Sequence, residues 1–326
     1  MKCAKIAGLG KCLPSKILTN ADLEKMVDTT DEWITTRTGI KERRIVDKGV
    51  AASHLGVEAS KIALERAGIS PSIIDLIIVT TITPDTQFPS TACYIQEALG
   101  ASRAACFDLS AACSGFVYGL TTAVQFVKTG LYKNVLVVSS EVLSAITDWQ
   151  DRSTCVLFGD GAGAAVITEG DQDSVLGVYM GSDGSETEVL SLPAGGSRIP
   201  TSQYSLDNRL HYMKMQGNEL FRIAVRVMVD AAKRALKKAA VNVADISLLI
   251  PHQANERIIT AVAKRLRIPQ DKVYMNISRY GNMSSASTIV AFCEAWEEGL
   301  IKSGDIVVLD TFGGGLVWAS AVIKWL

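Results

Sequence analysis

Cys113, His252 and Asn282 are the residues whose types and settings allow chemistry. Cys113 follows the small-residue run Ser110-Ala111-Ala112 and precedes Ser114-Gly115 and an amphipathic helical pattern. A thiol at a helix start faces unpaired N–H groups and the positive end of the helix dipole, which predicts a pKa below the free value of about 8.5. At that free value roughly 3% of a thiol is ionised at pH 7, so even a modest fall multiplies the nucleophile. Ala111, Ala112 and Gly115 leave the approach open to a bulky thioester. Taken alone, such a cysteine is more often an inert small hydrophobe of the core. His252 closes the apolar run SLLIP and opens His-Gln-Ala-Asn, where a lone histidine is also more often structural. Asn282 sits in RYGNMSSAS, which reads equally as a turn and helix start. Beside a neutral imidazole, its amide N–H offers a second hydrogen bond to a carbonyl oxygen gaining charge, without demanding a proton, and this suits an enolate. The other two histidines, His54 in an amphipathic helix and His211 in a polar stretch, read as structural or surface residues.

These residues are linked by an internal repeat. ALERAGISPSIIDLIIVTT from Ala63 matches ALKKAAVNVADISLLIPH from Ala235 at an offset of 172, and both read helix, turn, buried strand. Gly130-Leu131-Tyr132-Lys133 before VLVV matches Gly299-Leu300-Ile301-Lys302 before IVVL at an offset of 169. Each half ends in a glycine-rich turn, FGDGAGAAVI or FGGGLVWASAVI, that leads into an apolar strand. The alternative is that any two helix-turn-strand units look alike, but two anchor points and the closing motifs occur in the same order. Short β-branched runs alternate with helical patterns throughout, which predicts an α/β layered fold of two duplicated halves, 1–170 and 171–326. Strands are expected at 74–80, 104–109, 135–139, 163–168, 247–250, 306–310 and 316–323, and helices at 51–67, 91–99, 114–128, 218–239, 256–266 and 285–299. In the repeat, Cys113 corresponds to Asn282, and His252 lies just past a strand's C-terminal edge. Ligands gather outside the carboxyl ends of strands in open α/β sheets, so all three residues are expected at one crevice.

Composition narrows the function classes. The 326 residues are 48% apolar and 21% charged, enough for a large core and about two domain-sized units. Lysine plus arginine (33) nearly cancels aspartate plus glutamate (34), which leaves no global field for nucleic acid or an anionic membrane. The N-terminal segment lacks a signal-peptide pattern and no apolar run approaches a membrane span, so a cytoplasmic protein is expected. Seven scattered cysteines, with no C-x-x-C pair or histidines at zinc spacing, predict neither disulfides nor metal.

With SAACSGF, PHQAN, GNMSSAS and FGGGLVW in hand, the chain resembles the bacterial β-ketoacyl carrier-protein synthase III family of thiolase-fold condensing enzymes. The resemblance runs end to end and includes LTNADLEKMVDTTDEWITTRTGIKERR, which looks like that family's CoA-binding segment. Met283 departs from the threonine that many members carry there. The resemblance implies a five-layered αβαβα fold, a homodimer, and decarboxylative condensation of an acyl-CoA primer, acetyl-CoA first, with malonyl carrier protein. Cys113 would take the acyl group, the backbone N–H groups of Cys113 and Gly314 would bind the oxyanion, and His252 with Asn282 would hold the enolate. No cofactor is implied, since the CoA thioester is a substrate. Elongating relatives are expected to carry two histidines and biosynthetic thiolases a second cysteine, so the Cys-His-Asn set favours priming. An acyltransferase or ketosynthase of secondary metabolism is the alternative enzyme. A noncatalytic thiolase-fold subunit is disfavoured by the intact triad.

The same resemblance assigns Thr29, Trp33, Arg37, Arg152, Gly217, Phe221 and Asn255 to CoA, with Leu143, Phe158 and Phe312 in the acyl pocket. Phe88 would reach across to the partner's pocket, although as a loop aromatic it has equal claim to no role. Trp33 and Arg37 lie one helical turn apart, so a ring face and a guanidinium can hold an adenine and phosphates together. The helix expected at 218–239 carries an apolar stripe and a basic one. Arg222 and Arg257, with Lys264 and Arg265, form a candidate dock for an acidic carrier protein, though such a stripe is more often a solvated face.

Overall fold

A computed structural model describes residues 2–326. The first half builds a five-stranded sheet from β1 (Cys3–Cys12), β2 (Leu76–Thr80), β3 (Ala105–Leu109), β4 (Asn134–Val142) and β5 (Asp160–Gly170) in the order β1-β5-β4-β2-β3. The second builds a four-stranded sheet from β6 (Val175–Ser182), β7 (Leu248–Pro251), β8 (Ile306–Gly313) and β9 (Val317–Lys324) in the order β7-β8-β9-β6. In both, two parallel strands (β2 with β4, β7 with β8) continue into antiparallel pairs that end at β1 or β6. The duplication seen in the sequence is therefore a duplication of topology. The counterpart of edge strand β3 is reduced to a single parallel bridge between Leu249 and Val273.

The strands are buried for a reason visible in their composition. β2 is Leu-Ile-Ile-Val-Thr, buried at every residue, as a parallel strand covered on both faces requires. Helices α2 (Ala52–Ala67) and α3 (Thr91–Leu99) cover the outer face of the first sheet, and α5 (Gly217–Ala239) and α6 (Glu256–Leu266) that of the second. Between the sheets lie α4 (Gly115–Thr129) and α7 (Ser285–Glu297), whose apolar side chains join both sheets in one central core. Eleven of the thirteen α7 residues are buried, the mark of a helix enclosed on all sides. The result is the expected five-layered αβαβα stack. α1 (Asp31–Thr38) lies outside it, and a Cβ at its closing Gly39 would stand 2.2 Å from the Glu256 carboxylate, so α1 is seated on the start of α6.

Strands β1 and β6 were not foreseen. Glycines weaken a strand pattern, and β1 carries two. At Gly8 a Cβ would stand 2.3 Å from the Ala63 carbonyl oxygen, and at Gly177 of β6 it would stand 2.6 Å from that of Ala235. The glycines let α2 and α5 approach the strand backbones, and they do so at the two repeat-equivalent alanines.

Candidate active site

Cys113 follows β3 in a single 3-10 turn, Ala112–Ser114, that runs into α4. Ala112 has φ +42°, a left-handed conformation that costs a non-glycine residue energy and persists only where packing over-determines it. The packing comes from the other half. A Cβ on Gly313, at the end of β8, would stand 2.6 Å from the Cys113 nitrogen, so only glycine lets the FGGG turn lie against the nucleophile's backbone. Gly314 and Gly315 then line the same cavity as Cys113.

That cavity has a volume of about 310 Å3, and its lining is mostly apolar. Leu143 and Phe158 line it as expected, joined by Ile82, Ile146 and Met213. Phe312 does not. It is packed in the outer core beneath α5 and α6, opposite Trp318 on β9. Strand alternation explains the correction, because Phe312 shares the outer face of β8 with Val308, while Val307 and Leu309 face the central core.

The second half supplies the other two candidates. Asn282 is spliced onto the first half: its N–H donates to the Leu157 carbonyl (2.8 Å), and its own carbonyl accepts from the Gly159 N–H (3.0 Å). Its Oδ1 accepts from the Ser284 N–H at 2.8 Å, which leaves the amide N–H groups for a ligand. Met283 fills a small core cluster with Tyr280, Ala286 and Val290, so its departure from threonine affects packing alone. His252 follows β7, and its backbone N–H donates to the Asp310 carbonyl at 2.8 Å, three residues before Gly313. The ring is 2% exposed and neither nitrogen has a protein partner. Burial lowers its pKa to about 3, so the imidazole stays neutral through the physiological range. His252 and Asn282 are not among the residues lining the apolar cavity. The structure therefore puts a nucleophile in an apolar cavity, an unspent carboxamide bonded to the backbone of Ser284 in its lining, and an unspent imidazole on the strand pair that leads to the FGGG turn.

The thiol itself corrects an expectation. Burial pushes Cys113 up to about 12, and the nearby Glu141 charge adds to this, while the Ser284 hydroxyl acts in the opposite direction. Desolvation outweighs the short helix start, so the resting form is the thiol. Glu141 is a residue that sequence reasoning missed. It is fully buried on β4 and holds both halves: its Oε2 accepts from the hydroxyls of Thr81 (3.1 Å) and Thr83 (2.7 Å) and the Ile82 N–H (3.1 Å). Its Oε1 accepts from the Ser285 hydroxyl at 2.9 Å. The available signal was an acid at the end of the apolar run VLVVSSEVL.

Asp310 is the second buried acid here, with no exposure and no partner for either carboxyl oxygen. Burial raises its pKa well above the usual range, so it keeps its proton where the unfolded chain has lost it. Stability therefore falls as pH rises from the unfolded value toward the folded one, by about 1.4 kcal/mol per pH unit from this group. Asp310→Asn is expected to raise Tm relative to wild type, by more at pH 8 than at pH 5. An equal or smaller gain at pH 8, read by calorimetry, rules this out.

The comparisons with known proteins bear on this geometry directly. The family models "3-Oxoacyl-[acyl-carrier-protein (ACP)] synthase III" and its C-terminal counterpart match residues 107–184 and 236–325. The β-ketoacyl-[acyl-carrier-protein] synthase III of Caldanaerobacter subterraneus subsp. tengcongensis is 56% identical, over 99% of both chains. This chain belongs to the β-ketoacyl-[acyl-carrier-protein] synthase III family. The crystal structure of 3-oxoacyl-[acyl-carrier-protein] synthase III from Aquifex aeolicus superposes with a TM-score of 0.92 at 48% identity, covering 99% of this chain and 100% of that one. The priming β-ketosynthase of the R1128 polyketide pathway superposes with a TM-score of 0.93 at 37% identity, covering 99% and 96%.

The residues that a synthase III would turn toward CoA fall into two groups on one side of the molecule. Trp33 is flanked by the guanidinium of Arg152, 5.0 Å from the ring centroid, and that of Arg37 at 6.0 Å. Arg152 also donates to the Asp28 carbonyl (2.9 Å), next to Thr29, whose buried hydroxyl oxygen has no partner. Phe221, on the first turns of α5 after Gly217, carries the Arg257 guanidinium 5.7 Å above its ring. Asn255 joins the groups through its side chain. Its Oδ1 caps α6 by accepting from the Arg257 N–H (2.9 Å), and its Nδ2 donates to the Arg37 carbonyl (3.0 Å). These two bonds tie α1 to α6 and leave one amide N–H and one lone pair of Asn255 for a ligand. In the candidate carrier-protein patch, Arg257, Lys264 and Arg265 are exposed, whereas Arg222 is ion-paired with Glu219. Glu186 and Asp183 line the same hollow as Arg222, so that end of the stripe is mixed in charge rather than basic.

Proposed function

We propose that the protein primes fatty-acid synthesis, joining an acyl-CoA, acetyl-CoA in the first instance, to malonyl carrier protein with loss of carbon dioxide. The observation that carries this reading is the division of the site. An apolar cavity holds the one thiol, and a neutral imidazole and a carboxamide each keep hydrogen-bonding capacity unspent on the protein, the carboxamide bonded to Ser284 of the cavity lining. Cys113 attacks the primer's thioester carbonyl, the oxyanion is held by the N–H groups of Cys113 and Gly314, and CoA leaves. Malonyl carrier protein then loses carbon dioxide, and the enolate oxygen accepts hydrogen bonds from His252 and Asn282 while its carbon attacks the acyl-cysteine. Trp33, Arg37 and Arg152 hold the adenine end of CoA. The reaction draws on no cofactor, and a cytoplasmic setting is part of the proposal. Among the described residues, no helix is long and apolar enough to cross a membrane.

The homodimer belongs to the same proposal. Phe88 is 86% exposed at the rim of a hollow lined by Gln87 and Gly195, and this hollow shares Ile82, Ile146 and Leu192 with the acyl cavity. A partner's Phe88 seated there would close the acyl cavity from behind.

Priming of a polyketide is the second reading, supported by the R1128 relative. Purified protein supplied with acetyl-CoA and malonyl carrier protein is expected to release carbon dioxide and form 3-oxobutyryl carrier protein. Product with a polyketide carrier protein but none with a fatty-acid one selects the second reading, and product with neither rejects both. Arg257→Glu is expected to raise the KM for carrier protein at least about threefold, as loss of one charge contact implies. The KM for acyl-CoA in self-acylation, measured in parallel because Arg257 also covers Phe221, is expected to change less, and an unchanged KM for carrier protein removes Arg257 from the dock.

A further inference from the structure

Ser284 is the residue of the site that the proposed mechanism leaves unused. It lines the acyl cavity with Cys113, is 2% exposed, and its hydroxyl has no hydrogen bond of full geometry within the protein. A buried hydroxyl left this way forfeits a contact that burial normally demands, which marks it for a partner that the reaction brings. Its backbone is strained as well, with φ +48° and ψ −126°, a region that L-residues rarely enter. The strain is held from both sides. The Ser284 N–H is fixed to Asn282 Oδ1, and the next residue, Ser285, is anchored to Glu141 Oε1 and, through its hydroxyl, to the Thr80 carbonyl (2.9 Å). Gly115, two residues after the nucleophile, closes on the same anchor: a Cβ there would stand 3.0 Å from both Ser285 and Thr80. Glycine would relieve the strain at 284, yet serine stands there, so the side chain repays the conformation.

We infer that Ser284 is a further catalytic residue, whose hydroxyl donates a hydrogen bond to Cys113 Sγ whenever that sulfur carries negative charge. The sulfur does so twice in the proposed reaction. It is anionic as it attacks, when the Sγ–C bond forms, the bond from the carbonyl carbon to the CoA sulfur breaks, and the thiol proton ends on the departing CoA. It is anionic again when the enolate carbon bonds to the acyl carbon and the C–Sγ pair returns to sulfur. Ser284 keeps its proton throughout. The position of the hydroxyl agrees: it lies near both the Cys113 sulfur and the Glu141 carboxylate and favours the charged form of each. One strained residue would then serve both halves of the reaction, its N–H orienting the Asn282 amide and its hydroxyl the nucleophile.

This inference rests on the reading of Cys113 as the acylated nucleophile. The experiment is single-turnover acylation by acetyl-CoA, followed by intact-protein mass spectrometry, for wild type, Ser284→Ala and Ser284→Gly. Both variants are expected to acylate about 10- to 100-fold more slowly at saturating acetyl-CoA, as loss of a hydrogen bond to a charged group implies. The half-saturating concentration should stay unchanged. Ser284→Gly is expected to melt no lower than wild type because it removes strain, so slow acylation in that variant cannot be a folding defect. Wild-type rates in Ser284→Gly would overturn the inference, as would a loss confined to half-saturation. Failure of wild type itself to take up acetyl would instead bring down the underlying reading.

Discussion

Cys113→Ala will take up no acyl group from acyl-CoA, and its condensation rate will fall by more than about 10^4-fold, the scale of removing a covalent nucleophile. The choice of this cysteine does not rest on acidity. Burial pushes Cys106 and Cys293 up to about 12 as well, and Cys155 to about 11, so a thiol-reactivity ranking would not single out Cys113. What distinguishes it is position. Among the described cysteines it lines the apolar cavity, with the FGGG turn against its backbone, whereas Cys155 and Cys293 are sealed in packed clusters. A small alkylating reagent will therefore also label the partly exposed Cys3, Cys12, Cys93 and Cys106, while an acyl-CoA will label one residue. Intact-protein mass spectrometry distinguishes these outcomes. One acyl mass on wild type and none on Cys113→Ala is expected, and an adduct that survives the substitution would move the nucleophile elsewhere.

The elements that position the site were legible because period and punctuation agree there. β2 and β7 are unbroken apolar runs, and the repeat made His252 and Asn282 informative when neither was so alone. The misreadings share a cause, which is that tertiary proximity is invisible to local pattern. Gly8 and Gly177 weakened two strands in the sequence although they are there to admit a helix. The dipole argument for Cys113 had the right sign, but desolvation was unknown and is larger. The resemblance implies an acyl-pocket place for Phe312, while alternation along β8 turns it to the other face. Ser284 had no sequence signal to separate it from Asn282 and Ser285 beside it, and Glu141 none beyond an acid at the end of an apolar run. Their meaning lies in a positive φ and in five hydrogen bonds that close over 140 residues or more of chain, or about 60 within the first half.

Separating the two half-reactions gives the other large effect. His252→Ala and Asn282→Ala are each expected to accept the acyl group at near wild-type rate yet to lose decarboxylation of malonyl carrier protein by about 10^2- to 10^3-fold, the scale of one oxyanion donor. The reason is chemical: each holds a donor unspent on the protein, which the enolate needs, whereas acylation needs the thiol and the oxyanion-binding N–H groups. Because both hydrogen bonds converge on one enolate oxygen, the double variant should lose far less than the product of the single losses. The pH dependence follows from the ring's burial. The folded pKa is lowered to about 3 from an unfolded value of 6.5, so His252 donates as a neutral imidazole and imposes no acid limb near pH 6.5 on decarboxylation. The same shift means that stability decreases as pH falls below the unfolded value, since only the unfolded chain then gains the proton. Carbon dioxide release measured from pH 5 to 8 checks the assignment. A limb near 6.5 that disappears in His252→Ala, or equal loss of both half-reactions in either variant, would show that the imidazole works as a proton carrier rather than as half of an enolate clamp.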